Sequence, residues 1–199
     1  MSTQTNCTTC QKEIHEGMTC QEYSQYLQFI QVLGSKERAE IFKIALKMIK
    51  ENSDPLTKDC FIQFNTNILK NEEVLTKFIK AFEHVKFENV EDGIFGWHGS
   101  SNESVQNIMK IGFDPMQRGE HVGQAYGKGE YFNSTSQISS GYLKNNGNHL
   151  ILAFIIKGNH LSIHANDIFV VNNPVDRSYT YCLPLFIVSY RKHEPVNYL

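Results

Sequence analysis

The spacing of apolar side chains predicts helices mainly in the first half of the chain. Apolar residues recur every three or four positions in four stretches, the period of a helix that buries one face. Ser35 and Asn71 suit helix N-caps, and Gly34 and Gly112 suit helix ends. The four predicted helices are residues 21–33, 35–50, 72–85 and 102–110.

Short apolar runs predict strands, mostly in the second half. They do not alternate with helices as βαβ units, and no Gly-x-Gly-x-x-Gly motif follows a strand. The sequence therefore predicts an α+β fold with a mostly antiparallel sheet, divided at a break near Pro55 into a helical leader, 1–52, and a second domain, 53–199. The predicted strands are residues 61–64, 130–132, 149–156, 168–171 and 186–190.

Composition indicates a globular intracellular protein. The 199 residues are 41% hydrophobic and 20% charged, and the net charge of −2 gives no basic footprint for a nucleic acid. The first residues are polar, and the longest apolar run, 150–156, is far shorter than a membrane span of about 20 residues. We expect a cytoplasmic or nuclear location and no membrane partner.

Three of the five cysteines lie within the first twenty residues and frame a histidine. The set Cys7, Cys10, His15 and Cys20 offers four zinc ligands in a short span, against the alternative of isolated reduced thiols. The spacing resembles a zinc knuckle, which binds single-stranded nucleic acid, but its interior has no stacking ring. It resembles more closely the closing zinc site of an in-between-RING module, which would link the chain to the ubiquitin system.

Two short motifs indicate a ligand pocket. Residues 97–100 read Trp-His-Gly-Ser, and residues 127–132 read Gly-Lys-Gly-Glu-Tyr-Phe. Glycine lets a ligand approach the backbone closely. Either motif alone is typical of a turn or of a loop entering a strand. Ser139 and Tyr142 follow Tyr131 in a polar segment and add to the pattern.

With the late apolar strand 185–190, these motifs resemble the catalytic domain of the poly(ADP-ribose) polymerase (PARP) family, the diphtheria-toxin-like ADP-ribosyltransferases. The resemblance extends from about Gly93 to the C-terminus. It implies a split, mostly antiparallel sheet, NAD+ as co-substrate and a protein acceptor.

The resemblance also implies roles for individual residues. His98 would bond a ribose hydroxyl, and Gly99 and Ser139 would bond the nicotinamide carboxamide, with Ser100 completing the turn. Tyr131 and Tyr142 would bracket the nicotinamide ring, whose positive charge is attracted to a phenol face. Arg118 would meet the pyrophosphate, against the alternative of an exposed loop arginine.

The family's chain-building members have a glutamate where this sequence has Leu185. No acidic residue occurs between Asp176 and Glu194, so a small misalignment would not restore one. Leucine can neither accept a proton nor bond a ribose hydroxyl. The triad His98, Tyr131 and Leu185 therefore predicts mono-ADP-ribosyl transfer rather than polymer synthesis.

Two other functions remain open from the sequence. One is a catalytically silent scaffold with the same fold, which nicotinamide release would test. The other is a zinc-dependent RNA adaptor, which the pI of about 6.4 opposes. Cys60 and Cys182 are predicted to be buried thiols.

Overall fold

The computed structural model describes residues 9–10, 15, 17–51, 60–70, 72–118, 125–143 and 147–189. Its described residues form mixed helices and strands, joined by short 3₁₀ turns. The helices are α1 Cys20–Leu33, α2 Lys36–Glu51, α3 Asn67–Lys70, α4 Glu72–Val85, α5 Asn102–Ile111 and α6 Ser136–Ser140. The strands are β1 Phe61–Phe64, β2 Gly93–Gly99, β3 Glu130–Asn133, β4 His149–Ile156, β5 Leu161–His164, β6 Ile168–Val171 and β7 Cys182–Ser189.

The strands form one antiparallel sheet in the order β1-β7-β4-β2-β3-β6-β5. Strand β2 pairs with β4 along the whole length of β2, from Gly93 opposite Ile156 to Gly99 opposite Leu150. Strands β2 and β3, by contrast, are joined by the single pair Trp97 and Asn133. The sheet therefore divides at this point, and the predicted α+β fold with a split antiparallel sheet is confirmed.

Helices α1 and α2 cover the β1–β7 edge of the sheet through a cluster of buried rings. The centroid of Phe42 lies 4.8 Å from that of Phe64 and 5.2 Å from that of Phe186, and Phe29 lies 5.8 Å from Phe64. Burying such large apolar side chains is the main source of stability at a helix–sheet contact. The predicted boundary between residues 52 and 53 falls outside the described residues, but both helices of the leader share their core with the sheet.

Local sequence explains where α1 begins and ends. Thr19 is its N-cap and accepts a hydrogen bond from the Glu22 backbone N–H, while the Glu22 carboxylate accepts one from the Thr19 N–H at 2.6 Å. Gly34 ends the helix in a left-handed conformation with φ of 66°.

Several elements differ from the predictions. The His-Gly-Ser motif, predicted as a turn, lies at the end of a seven-residue strand, β2, and the polar segment after Asn133 contains α6. Strand β5 was not predicted. Strand β7 begins at Cys182, earlier than predicted, and Tyr190 lies outside the described residues.

Candidate active site

His98 lies near the end of β2, at the point where the sheet divides. Its Nδ1 lies 2.8 Å from the carbonyl oxygen of Tyr131. A carbonyl can only accept, so Nδ1 carries the proton and Nε2 has a free lone pair. Burial lowers the pKa of His98, against a smaller opposing effect of the Tyr131 carbonyl, and keeps the ring neutral at pH 7. His98 therefore offers an acceptor, which suits a hydroxyl donor such as that of a ribose.

The orientation of the His98 ring is set by two aromatic neighbours. Phe113 meets it edge to face at a centroid distance of 5.3 Å, and Phe132 lies 5.7 Å away. Among the described residues, Nε2 makes no hydrogen bond, so the nitrogen that points away from Tyr131 is available to a ligand.

Gly99 follows His98 and packs against the backbone of α6. A Cβ at this position would collide with the carbonyl oxygen of Ser139. Beyond Trp97 the described part of β2 has no pairing with β3, so the strand edge at Gly99 is open. A peptide unit with an open edge and no side chain can bond a carboxamide through its own N–H and C=O.

Ser139 is completely buried, and its hydroxyl is used within the protein. It donates to the carbonyl oxygen of Trp97 at 2.9 Å and accepts from the side-chain amide of Asn133 at 2.9 Å. Donation from Ser139 to a carboxamide, which the resemblance implies, would have to replace the bond to Trp97.

Tyr131 is half-buried on β3, and its phenol is held by the loop that precedes the strand. The phenol oxygen accepts a hydrogen bond from the Tyr126 N–H at 2.9 Å and donates one to the Gly127 carbonyl at 2.8 Å. Gly127 has a φ of 101°, a conformation that L side chains rarely adopt. The glycine-rich motif therefore folds back on its own tyrosine and fixes the position of the ring.

The remaining predicted ligand residues border this region. Tyr142 follows α6 and is 37% exposed, so part of its ring is accessible. Ser100 directly follows β2 and is half-buried, and the next residue, Ser101, caps α5. The assigned contacts of both residues with NAD+ remain predictions.

Leu185 lies in β7 and is fully buried. Leu152 of β4 pairs with Phe186 and the next residue, Ala153, pairs with Pro184, so Leu185 is the extra residue of a β-bulge. The Asn65 N–H donates to the Leu185 carbonyl at 2.7 Å and locks the bulge in place. An apolar side chain thus occupies the position where the resemblance would place a carboxylate.

Arg118 is not the exposed loop arginine of the alternative interpretation. Its side chain is 8% exposed and forms a two-pronged ion pair with Glu130, Nε to Oε1 at 2.8 Å and Nη2 to Oε2 at 2.9 Å. It also donates to Asn172 Oδ1 at 3.0 Å and to the Asn173 carbonyl at 2.7 Å. Because four of its N–H groups are engaged in these bonds, its predicted contact with the pyrophosphate would compete with them.

Glu130 and Asn173 belong to a polar cluster that sequence analysis missed. Burial raises the pKa of Glu130, and Arg118 opposes that effect. Asn173 donates to Glu130 at 3.0 Å and to the sulfur of Cys182 at 3.0 Å. Burial also raises the pKa of Cys182, so this thiol stays protonated, as predicted for a buried cysteine. Cys60, by contrast, is only partly buried.

A second group of functional side chains lies at the start of α1. The sulfur atoms of Cys10 and Cys20 and a ring nitrogen of His15 all lie within 4.8 Å of one another. His15 Nδ1 lies 3.0 Å from the Met18 carbonyl, which leaves Nε2 facing the Cys10 sulfur at 3.4 Å. This Cys–His–Cys group could hold a metal ion. Cys7, the fourth predicted ligand, lies outside the described residues.

The surroundings of this group attach it to the core. The His15 ring stacks on Tyr23 of α1 at a centroid distance of 4.7 Å. Lys50 of α2 donates to the Gly17 carbonyl at 2.8 Å and pairs with Glu22 at 2.8 Å. These contacts join the segment that carries the Cys–His–Cys group to both α1 and α2.

In the described part of the chain, no helix is both long and apolar enough to span a bilayer.

Comparison with known proteins identifies the family. A search of curated proteins finds no match. A family model described as the poly(ADP-ribose) polymerase catalytic domain matches residues 21–184, which include α2, all but the first residue of α1, and the site from His98 to Tyr142, and which end one residue before Leu185. The catalytic domains of this family use NAD+ as co-substrate, and the match indicates ADP-ribosyltransferase activity. The chain belongs to the PARP catalytic-domain family.

Proposed function

We propose that the chain is a mono-ADP-ribosyltransferase that moves one ADP-ribose from NAD+ to a side chain of an acceptor protein and releases nicotinamide. The proposal is supported above all by the neutral His98, whose Nε2 makes no hydrogen bond among the described residues, beside the strand edge at Gly99 that β3 leaves unpaired. The bond between nicotinamide and ribose breaks, nicotinamide leaves with the electron pair, and the acceptor side chain, a carboxylate in this proposal, bonds to the ribose carbon through an oxygen lone pair.

Two residues near His98 suit the nicotinamide end of NAD+. Gly99 has the open backbone that a carboxamide needs, and Tyr131 is held firmly by two hydrogen bonds to its phenol. Positioning of this kind lowers the barrier by fixing the reacting groups before reaction. The nicotinamide ring of NAD+ carries the positive charge before the bond breaks, so a phenol face beside it favours binding of the co-substrate.

Transfer of a single unit is supported by Leu185. Its fully buried side chain in the β7 bulge can neither accept a proton nor orient a ribose hydroxyl as acceptor for a second unit. Because the chain has no carboxylate at this position, we propose that the acceptor protein supplies the carboxylate. The modified side chains would then be aspartate or glutamate.

The length of the adduct tests this proposal. We expect incubation with tagged NAD+ and an acceptor extract to give a mass increase of one ADP-ribose per modified side chain, measured by mass spectrometry. Leu185→Glu is expected not to extend the adduct, because the elongating chain also needs a binding surface. Polymer from the unmodified chain would contradict mono-transfer. Absence of nicotinamide release would favour the silent scaffold.

We also propose that the Cys–His–Cys group binds one Zn2+ with Cys7 as fourth ligand. Tetrahedral zinc with sulfur and nitrogen ligands requires donor atoms roughly 3.3–3.8 Å apart. The separations within 4.8 Å need little adjustment, and the Met18 carbonyl orients His15 as carbonyls commonly do for metal-bound histidines. The ion would be structural, since it would fasten the start of α1.

Metal removal is expected to lower the thermal midpoint more than the activity. Purified protein should contain one zinc per chain by mass spectrometry of the metal, and Cys20→Ser should lose it, while the control Cys60→Ser should retain it. Each kcal/mol of lost stability lowers Tm by about 2–4 °C in a protein of this size. Labelling well below Tm should survive, because His98 and Gly99 lie on β2, away from the metal group. Metal-free purified protein would refute the zinc assignment, and an equal loss of labelling would refute a purely structural role.

A further inference from the structure

Asn133 ends β3 at the residue pair that joins the two halves of the sheet. It lies directly opposite Trp97, two residues before Gly99 along β2. Its side chain is 4% exposed, and its Nδ2 donates to the Ser139 hydroxyl at 2.9 Å. Asn133 therefore adjoins Trp97 and Ser139, which both border the proposed nicotinamide site.

The other atom of this side chain, Oδ1, is buried without a hydrogen-bond partner among the described residues. An unpaired buried acceptor costs about 1–3 kcal/mol, so native proteins keep few of them, and those few call for an explanation. A donor from a ligand would satisfy this atom.

The orientation of the Asn133 amide follows from its neighbours. Ser139 donates its only hydroxyl proton to the Trp97 carbonyl, at 2.9 Å. Toward Asn133 the hydroxyl oxygen can therefore only accept, which requires Nδ2 on that side and directs Oδ1 the other way. The unpaired atom is an acceptor, and its ligand must provide an N–H or O–H donor.

We propose that Asn133 Oδ1 accepts a hydrogen bond from the carboxamide N–H of nicotinamide and so makes Asn133 a specificity-determining residue for the amide form of the ring. This inference rests on the proposed function. A carboxamide has two N–H donors and one acceptor. The Gly99 peptide can engage the oxygen and one N–H, and Asn133 takes the second N–H. Nicotinic acid has no N–H in its carboxylate, which would face Oδ1 with like partial charge.

Binding of nicotinamide and nicotinic acid to the full chain tests the proposal without requiring catalysis. We expect the unmodified protein to prefer nicotinamide, measured by titration calorimetry or by ligand-induced shifts of Tm. Asn133→Ala should weaken nicotinamide binding about 3- to 10-fold, the value of one net hydrogen bond, and reduce the preference over nicotinic acid by the same factor.

A control variant and a second substitution separate this role from a structural one. Asn65→Ala removes an equally buried amide whose two ends are both bonded: Nδ2 donates to the Pro184 carbonyl at 2.9 Å, and Oδ1 accepts from the Asn67 N–H at 3.2 Å. It should lower Tm without altering the preference for nicotinamide. Asn133→Asp keeps an acceptor in place of Oδ1, and the Ser139 hydroxyl can turn to donate to its other carboxylate oxygen. A folded variant should therefore still prefer nicotinamide, even if the alanine variant does not fold.

The outcomes are distinct. If the unmodified protein binds nicotinamide but Asn133→Ala retains the full preference, Oδ1 bonds a water or another protein group, and the inference is wrong while the proposed function stands. A folded Asn133→Asp variant that loses the preference would also overturn it. If the unmodified protein binds no nicotinamide, the inference and the proposed function both fall.

Discussion

His98→Ala is expected to reduce NAD+-dependent labelling of acceptor proteins by at least about 100-fold, the loss that follows when a reacting group is misplaced by about 1 Å. The Nδ1–H of His98 is fixed on the Tyr131 carbonyl at 2.8 Å, which leaves the Nε2 lone pair as the proposed acceptor for the ribose hydroxyl. Alanine removes this acceptor together with a ring that packs on Phe113 and Phe132. Initial rates with tagged NAD+ measure the effect.

A matched control is His149→Ala. His149 is a partly buried histidine on β4 whose Nδ1 lies 2.7 Å from the Ser189 hydroxyl, and it has no role in the proposed site. Its variant should label at close to the rate of the unmodified protein. Labelling by His98→Ala at that same rate would show that the histidine does not hold NAD+.

The pH dependence of labelling provides a second check on His98. Burial lowers its pKa from the usual value of about 6.5, so Nε2 stays unprotonated at pH 7 and somewhat below 6.5. Affinity for NAD+ should hold through this window and decline only at more acidic pH. The unfolded chain takes up the proton first, so the stability that this residue contributes above pH ~6.5 is lost as pH falls toward the folded-state pKa.

Gly99→Ala is expected to abolish labelling and to lower Tm by several degrees. The added Cβ would collide with the Ser139 carbonyl oxygen, a backbone atom that cannot rotate away. Overpacking of this kind costs about 1–3 kcal/mol, and each kcal/mol corresponds to about 2–4 °C in Tm. The strand and α6 must move apart, which displaces both the Gly99 peptide and Ser139. Labelling rates and thermal unfolding measure the two effects.

Gly141→Ala serves as the control for this substitution. Gly141 has a right-handed conformation, with φ of −62°, and the nearest heavy atom to an added Cβ is the Ile138 carbonyl oxygen at 3.3 Å. We expect a small change in Tm and near-normal labelling. Equal activity of the Gly99 and Gly141 variants would show that the close contact at Gly99 is not needed for catalysis.

Much of the fold was predictable because helices and strands are encoded by neighbouring residues. The apolar period identified α1, α2, α4 and α5 to within a few residues, and short apolar runs that do not alternate with helices indicated an antiparallel sheet. Strand β2 was missed because its three glycines oppose a strand by local propensity. In the folded chain the glycine at position 93 makes room for the Phe154 ring, a requirement that only the packed sheet imposes.

The candidate site was predictable as a set of residues but not as a set of contacts. The motif containing His98 and the glycine-framed Tyr131 identified the family, and the spacing of Cys10, His15 and Cys20 anticipated their proximity. Glu130 and Asn133 were overlooked. The available signal was that both are polar residues at the two ends of the short apolar strand β3. The sequence pattern alone does not reveal what each of these side chains faces.

The sequence by itself determined the four longest helices and most of the strands, which residues are chemically suited to NAD+ and to a metal, and that no carboxylate stands at Leu185. Tertiary structure alone decided how those residues are used. Ser139 donates its proton to the Trp97 carbonyl, 42 residues away in the sequence, and Arg118 donates to the Asn173 carbonyl, 55 residues away. Asn133 Oδ1 has no hydrogen-bond partner in the described part of the chain. Local patterns specify relations over one or two helical turns or a pair of strands. These hydrogen bonds depend instead on which distant backbone atoms the folded chain brings within 3 Å.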